Sequence, residues 1–507
     1  MTSHTTAAQG PTFFGHPRGL ATLFFTEMWE RFSYYGMRAL LILFMTAATV
    51  GDNPGLGLDV GTATAIYGLY TSLVYLLALP GGWIADNLWG KRKSVYVGGW
   101  IIAAGHFSMA VPSMFTFFLG LVLIVMGTGL LKPNVSAIVG DLYPEGGARR
   151  DAGFSIFYMG INVGALLGPI LCGALGEGFS VGSMEWSGMW HLGFSLAGVG
   201  MVAGLIQYRM GIRHLEGAGE LETDRTPEQL RSMETGFFVR FALALAAVVF
   251  FGWLVYAGTI PMTIQQVATW LGYGILVLAV GFFVYLWAFG GHTPAENKRL
   301  LVIFWLFVLS AIFWSGFEQA GSSLNLFASE LTDRNVFGWE MPAAFLQSVN
   351  SFFIIILAPL FGSLWVWLSQ RNANPSMGAK FGFGLLGLSV GFFVLAWGAA
   401  NAGPGNLVSP AWLVVTYFFH TVGELALSPV GLSSITKLAP RNRVGQMMGV
   451  WFVGVALGNL FAGLVAGSLE NLPAADLFRA VAMIVAAAGV IGLAVSPLTR
   501  RVTAEVE

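Results

Sequence analysis

Two glutamates and two arginines lie within twelve residues of an apolar segment, at a depth where bilayer hydrocarbon is expected. They are Glu27, Glu30, Arg31 and Arg38. One charge at the centre of a spanning helix costs roughly 2.5–3.5 kcal/mol on insertion scales, so four of them indicate a function. Buried carboxylates can exchange protons when a nearby cation or burial changes their proton affinity, and arginines can bind anions. An ion-pair cluster that only holds helices together is the structural alternative.

The helix that carries these residues must turn one face toward a polar cavity. At 100° per residue, its charged and aromatic side chains fall within about 140° of arc, and the rest of the helix is apolar. The residues of that face are Glu27, Glu30, Arg31, Tyr34, Tyr35 and Arg38. We therefore predict that this face lines a wet cavity enclosed by protein.

The composition is that of a helical membrane protein. Of 507 residues, 56% are hydrophobic and 10% are charged, whereas soluble domains are about 25% charged. Apolar runs of about eighteen or more residues recur from end to end. We predict an all-α, polytopic membrane protein. The single Cys172 excludes an intramolecular disulfide and a cysteine metal site.

Fourteen apolar segments are long enough to span a bilayer. The predicted transmembrane helices cover residues 20–48, 62–86, 93–112, 115–136, 151–175, 188–209, 236–257, 265–290, 300–322, 342–369, 379–400, 409–436, 444–468 and 475–497. The segment Gly217–Arg231 is rich in acidic, basic and polar residues, and we predict a flexible cytoplasmic loop that does not pack.

The basic residues give the orientation. With the N-terminus in the cytoplasm, 20 of the 25 lysines and arginines fall in cytoplasmic segments. Arg334 and Arg479 then lie on the outer side, while Arg31, Arg38 and Lys132 lie inside the membrane. We predict that both termini are cytoplasmic.

An internal repeat divides the chain into two halves. Pro133 follows Lys132 in span four, and Pro144 comes eleven residues later; Pro429 and Pro440 repeat this spacing in span twelve. Both second prolines enter short basic loops, and both loops lead into ladders of glycines at every fourth residue, which let helices approach closely. The loops and ladders are Arg149-Arg150 with Gly160, Gly164 and Gly168, and Arg441-Asn442-Arg443 with Gly454 and Gly458.

The repeat predicts the domain organisation. Residues 1–212 form a first bundle of six helices, and residues 299–507 form a second. Residues 213–298 hold a cytoplasmic linker and an inserted helix pair. Two such halves are typical of secondary transporters, which bind their substrate near the membrane midplane.

The loop between spans two and three resembles the cytoplasmic loop signature of the major facilitator superfamily. Asp86 lies near a helix end, Gly90 can form a turn, and residues 91–93 are basic. Such a loop can make a charge clamp between neighbouring helices. The resemblance implies the major facilitator fold, here two six-helix bundles plus the inserted pair. Plain positive-inside topology would explain the lysines alone.

Two further motifs resemble those of the proton-dependent oligopeptide transporter family, and the resemblance covers nearly the whole chain, including the inserted pair of bacterial members. The first-helix motif is Glu27-x-x-Glu30-Arg31-Phe32-x-Tyr34-Tyr35-Gly36. The fifth-helix motif is Phe157-Tyr158-x-x-Ile161-Asn162-x-Gly164.

The resemblance implies a peptide site. Arg38 and Lys132 would attract the peptide carboxylate, and Glu424 would receive the peptide amino terminus. Other residues that the family pattern assigns to the site are Tyr34, Tyr35, Tyr75, Tyr158, Asn162, Trp314, Glu318, Asn350, Ser428 and Trp451. Those that it assigns to proton coupling are Glu27, Glu30, Arg31, Lys132 and Glu318. Gly68 stands near the place of a histidine found in some relatives, so we expect no proton relay there.

Alternatives stay open for individual residues. Glu424 could instead lock helices through Lys132, and Trp314 and Trp451 could be packing residues or interfacial anchors. His420 and Glu424 are four residues apart, but two ligands without a third make a weak metal site.

The predicted function is a secondary active symporter that imports di- and tripeptides with protons by alternating access. We expect no enzymatic activity, because no nucleophile–base pair or metal triad is found near the midplane. A channel would lack the buried acid–arginine set, whereas the same fold moving another small anion or amino acid stays an alternative. We expect no cofactor, no metal and no nucleic acid. Peptides, protons and membrane lipids are the expected partners of a functional monomer in the bacterial inner membrane.

Overall fold

The structure, a computed structural model, describes residues 12–145, 147–403, 405–440 and 443–503. In these ranges the α-helices, numbered α1 to α16, are Arg18–Thr46, Val60–Leu76, Ala78–Ile84, Lys91–Met109, Met114–Asp141, Gly147–Gly176, Trp190–Gly211, Pro227–Tyr256, Ile264–Phe289, Pro294–Phe317, Ser323–Glu330, Ser348–Gln370, Met377–Ala400, Ala411–Leu438, Val444–Ala466 and Ala474–Thr503. The strands, β1 to β6, are Thr12–Phe13, His16–Pro17, Phe179–Val181, Met184–Trp186, Asn335–Val336 and Trp339–Glu340.

Each of the fourteen predicted spans coincides with a long helix. The short helices α3 and α11 extend two of them: α3 follows α2 after Leu77, and α11 follows α10 after the 3₁₀ turn Glu318–Gly321. Twelve helices of the described ranges are long and apolar enough to cross a membrane. The other two long helices carry more charge, α1 at Glu27, Glu30 and Arg31 and α4 at its start. The prediction of an all-α polytopic protein is confirmed.

The chain packs as two compact units. The first unit consists of the chain up to Tyr35, Leu77–Ala165 and Phe194–Thr263, and the second consists of Gly36–Leu76, Leu166–Gly193 and the chain from Ile264 onward. Helices α1, α6 and α7 each contribute residues to both units. The second unit thus contains α2 from the first half of the repeat together with all the helices of the second half.

The glycine ladder of α6 allows close packing on α1 in the first unit. A Cβ atom built at Gly160 would lie 2.9 Å from the carbonyl oxygen of Phe24, and one at Gly164 would overlap the carbonyl oxygen of Met28. Only glycine leaves room for this contact between the fifth and the first membrane helix. The face of α1 that carries the predicted charges is thereby held beside α6.

The second ladder makes the equivalent contact in the second unit. A Cβ atom at Gly454 would lie 2.9 Å from the ring of Phe307, and one at Gly458 would lie 2.9 Å from the carbonyl oxygen of Ala311. Helix α15, the fifth membrane helix of the second half, therefore packs closely on α10, its first. The repeat predicted from sequence has a structural counterpart in these two helix pairs.

The prediction that Gly217–Arg231 would not pack is wrong for the start of the segment, where Gly219 is buried, whereas residues 222–229 are exposed. Arg92 Nε donates to the carbonyl oxygen of Ala218 at 2.6 Å, and Arg92 Nη1 donates to Glu220 Oε1 at 2.8 Å. Helix α8 begins at Pro227 behind a threonine capping box, whereas the span was predicted from residue 236. The half-buried Arg92 thus holds the start of this polar segment, and the capping box begins a helix at its end. Of the predicted basic loop between α14 and α15, Arg441 and Asn442 lie outside the described residues.

The predicted charge clamp forms with a different aspartate. Lys91 Nζ pairs with Asp141 Oδ2 at 2.8 Å, which joins the start of α4 to the end of α5. Asp86 is exposed in a π-helical turn at Ala85–Trp89. The turn directs Asp86 to the surface, so Asp141, the last residue of α5, takes the role predicted for it.

Helix α8 is largely exposed. Every residue from 242 to 253 is exposed, although this stretch is strongly apolar. Near its start, Glu234 accepts a hydrogen bond from Trp89 Nε1 at 2.7 Å, and Phe237 stacks on Trp83 with ring centroids 5.3 Å apart. An exposed apolar helix of this length is stable only in lipid.

Candidate functional site: two buried charge clusters

The acidic pair of α1 is bound to its own arginine in the first unit. Arg31 Nε lies 3.1 Å from Glu27 Oε1 and also pairs with Glu30 Oε2. All three side chains are buried, and Lys132 on α5 lies within electrostatic range of Glu27. Two carboxylates thus share one guanidinium nitrogen, and their other oxygens, Glu27 Oε2 and Glu30 Oε1, accept no hydrogen bond from the described residues. Either carboxylate can therefore take up a proton, and the other then keeps the ion pair with Arg31.

Aromatic groups lie beside this cluster, and the predicted amide forms a hydrogen bond within its own helix. The guanidinium carbon of Arg31 is 5.3 Å from the ring centroid of Tyr34, whose ring packs edge-on against Tyr35 at 5.2 Å. Asn162 is buried, and its Nδ2 donates to the carbonyl oxygen of Tyr158 at 2.9 Å. That amide donor is used within α6, while the Tyr158 side chain is exposed. A role for these residues in peptide binding stays a prediction.

A second ion pair lies in the second unit. Arg38 Nη1 contacts Glu318 Oε2 at 2.9 Å, and both side chains are buried. Arg38 also lies over the ring of Tyr67, with its guanidinium carbon 5.9 Å from the ring centroid. A Cβ atom at Gly321 would overlap the Tyr67 hydroxyl, so glycine is needed for this approach. Glu318 therefore holds the cation that was predicted to attract a peptide carboxylate.

Glu424 lies within electrostatic range of that ion pair. Asn350 Nδ2 donates to Thr421 Oγ1 at 2.9 Å and to Glu424 Oε2 at 3.3 Å. The carboxylates of Glu318 and Glu424 are close enough for their charges to repel each other. The second unit thus brings together one arginine, two carboxylates and an amide, and these groups complement a ligand that carries both a carboxylate and an ammonium group.

The two predicted tryptophans differ in their surroundings. Trp451 is buried, packs against Phe381 with centroids 6.1 Å apart, and fills the space that a Cβ atom on Gly431 would occupy. This favours the packing alternative for Trp451. Trp314 is half-buried and packs edge-on against Phe317 at 5.4 Å. Tyr75 and Ser428 are also half-buried in the second unit.

Sequence reasoning missed three side chains of the second cluster, Thr421, Tyr417 and Tyr67. Thr421 accepts the shorter hydrogen bond from Asn350, and Tyr417 lies within electrostatic range of Arg38. Both precede Glu424 on α14, by three and seven residues, and therefore share its helix face. This spacing could have identified them. Tyr67 gave no such signal, because its contact with Arg38 crosses between helices. Among the described residues, no three His, Cys, Asp or Glu side chains are grouped to hold a metal ion.

Comparison with known proteins identifies the family. Residues 92–484 match the family model described as POT family. The chain belongs to the POT family. It is 42% identical to Peptide transporter YePEPT of Yersinia enterocolitica subsp. palearctica over 99% of this chain and 98% of that protein. It is 37% identical to the Di-/tripeptide transporter of Lactococcus lactis subsp. lactis, with 87% of each chain covered.

Solved structures of POT transporters share the fold of this POT family chain. A crystal structure of peptide transporter POT in complex with sulfate is 38% identical, with a TM-score of 0.87 and 97% of each chain covered. A POT family transporter in complex with 5-aminolevulinic acid is 34% identical, with a TM-score of 0.84 and 97% and 98% covered. The major facilitator fold predicted from sequence is consistent with these neighbours, and like its relatives this family member is a transporter rather than an enzyme.

Proposed function

We propose that the protein imports di- and tripeptides together with protons by alternating access. The observation that carries this proposal is the cluster of the buried Arg38, Glu318 and Glu424 with the half-buried Asn350 in the second unit. A peptide is a zwitterion, and a site with a cation and a free carboxylate can orient both of its ends. The relatives named as peptide transporters support the same substrate class.

Protons take part through exchange of ion partners. In this structure, Glu318 forms an ion pair with Arg38. Protonation of Glu318 removes the ion pair and frees the guanidinium for the peptide carboxylate, while Glu424 receives the ammonium group. In the first unit, Glu27 and Glu30 compete for Arg31, so protonation of one carboxylate leaves the other with a full ion pair. Proton uptake is thereby coupled to peptide binding, because it changes which carboxylates pair with Arg31 and Arg38.

The proposed location is the bacterial inner membrane, with both termini in the cytoplasm. The distribution of lysines and arginines supports this orientation. The apolar surface of α8 supports close contact with membrane lipids.

Uptake by purified protein in liposomes tests the proposal. Labelled dialanine should accumulate above its external concentration when an inward proton gradient is imposed, and a protonophore should abolish the accumulation. Uptake no greater than that of protein-free liposomes would refute peptide transport. Uptake that equilibrates but never accumulates would refute proton coupling alone.

A second candidate is the transport of another small zwitterion. A POT family structure holds 5-aminolevulinic acid, which carries an amine and a carboxylate, as a dipeptide does. Competition in the same liposomes separates the two candidates. Unlabelled dialanine should inhibit dialanine uptake at lower concentration than 5-aminolevulinic acid does, and the reverse order would favour the second candidate.

A further inference from the structure

A buried carboxylate outside the proposed site joins two distant parts of the chain. Glu177 follows α6, and its Oε1 lies 3.1 Å from Arg334 Nη1. The same oxygen accepts the backbone N–H of Ala343 at 2.5 Å, and Oε2 accepts that of Ala344 at 3.1 Å. The Glu177 side chain is only 11% exposed. One carboxylate thus satisfies three donors that lie more than 150 residues away in sequence.

Strand pairing joins the same two segments. The hairpin β3–β4 follows Glu177, and the hairpin β5–β6 follows Arg334; they form one antiparallel sheet of order β4-β3-β6-β5. In this sheet, Ser180 pairs with Glu340 and Val181 pairs with Trp339. The first segment belongs to the first half of the internal repeat, and the second belongs to the second half. We call the sheet and the Glu177 contacts the hairpin latch.

The hairpin latch leads directly to the proposed peptide site. Ala343 and Ala344 are fully buried and open the 3₁₀ turn that continues into α12. A negative charge at this position accepts hydrogen bonds from the free N–H groups of the helix start and interacts favourably with the positive end of the helix dipole. Asn350, the partner of Glu424, lies six residues after Ala344 on the same helical segment. The position of Glu177 therefore sets where α12 begins.

We propose, on the basis of the transport function proposed above, that Glu177 is a positioning residue of the transport cycle. It holds the start of α12 and keeps the two halves of the repeat joined at this end of the helices. Alternating access requires contacts between the halves to form at one end while those at the other end break. The hairpin latch is thus closed in the present conformation, and it must open for the opposite one.

Removing the charge of Glu177 should open the latch without changing the peptide site. In Glu177→Gln, the amide nitrogen faces a backbone N–H, and Arg334 loses its nearer ion partner and keeps only Glu340 Oε1, at 3.8 Å. The joined state should therefore become at least about tenfold less populated relative to the open one. Arg334→Gln should have the same effect, and the double variant should add little, because both changes break one interaction. Glu185→Gln is the matched control, because Glu185 is an exposed acid on the neighbouring strand β4.

Distances between spin labels measure this change. Labels at Met184→Cys and Phe337→Cys, in a Cys172→Ala background, report the separation of the two hairpins at exposed positions. The parent should give one short distance, and both latch variants should add a longer one, whereas the Glu185 control should resemble the parent. Unchanged distances in Glu177→Gln and in Arg334→Gln would overturn the proposal. The second variant decides the matter if the first fails to fold.

Cross-linking connects the latch to transport. A disulfide between Ser180→Cys and Glu340→Cys, which replace paired residues, should block dialanine uptake in liposomes, and a reductant should restore it. Full uptake by the cross-linked protein would overturn the proposal. Absence of uptake by the parent protein would instead refute the proposed function, and the spin-label distances would still decide whether the latch exists.

Discussion

Replacing Glu424 by alanine should weaken the binding of a dipeptide far more than that of its N-acetylated analogue. Glu424 is only 9% exposed and accepts a hydrogen bond from Asn350 at 3.3 Å, which leaves it able to receive an ammonium group. A hydrogen bond between charged partners in such a site contributes about 1.5–3 kcal/mol. The expected loss of affinity for the dipeptide is therefore about 10- to 150-fold. The acetylated analogue has no ammonium group, so its affinity should change little.

Calorimetric titration of purified protein measures both affinities directly, and counterflow of labelled dialanine in liposomes gives an independent value. Glu424→Gln is the matched variant, because it keeps the shape and the hydrogen bond from Asn350 but removes the charge. It should show most of the loss for the dipeptide. Equal losses for the two ligands would refute amine recognition and leave Glu424 a structural role.

A test of the peptide's carboxylate end must take the Arg38–Glu318 ion pair into account. Arg38→Ala should selectively weaken a free dipeptide relative to its C-terminal amide, but it also leaves Glu318 buried without its ion partner. An unpaired buried charge destabilises a protein by itself. The comparison should therefore be made in Glu318→Gln, with and without Arg38→Ala. Equal affinity of this pair for the free dipeptide would contradict a role of Arg38 in carboxylate binding.

Three further outcomes follow from the structure. Glu27→Gln or Glu30→Gln should abolish proton-driven accumulation of peptide while counterflow survives, because exchange needs no net proton movement; full accumulation by both variants would contradict coupling through this pair. Cysteines along the apolar faces of helices α8 and α9, in a Cys172→Ala background, should resist water-soluble thiol reagents with or without peptide. Labelling at mid-membrane positions that peptide protects against would mean that these two helices line the cavity. Gly463→Val should lower the free energy of unfolding by about 1–3 kcal/mol, and with it the melting temperature. The reason is that a Cβ atom there would lie 2.6 Å from the Cα atom of Gly68 on α2. Gly445→Val, where a Cβ atom meets open space on the same helix, is the control, and equal melting temperatures would refute the packing argument.

The sequence by itself determined the membrane helices and the charged face of α1. Hydropathy adds up along a segment, and a bilayer accepts helices whose backbone groups are all bonded internally, so spans can be counted without knowing their neighbours. The spacing of Glu27 and Arg31 within one helix also predicted their contact, since residues four apart meet on one face. The repeat was visible because both halves need glycines where their first and fifth helices touch.

Only the tertiary structure decided which groups meet between helices. Arg38 pairs with Glu318, and Glu177 pairs with Arg334, although no spacing in the sequence relates them. Such pairs depend on the depth and rotation of each helix, which packing against the neighbouring helices sets. Arg92 likewise holds the start of a polar segment that composition predicts not to pack, because the donors of a distant helix reach its backbone only in the folded chain.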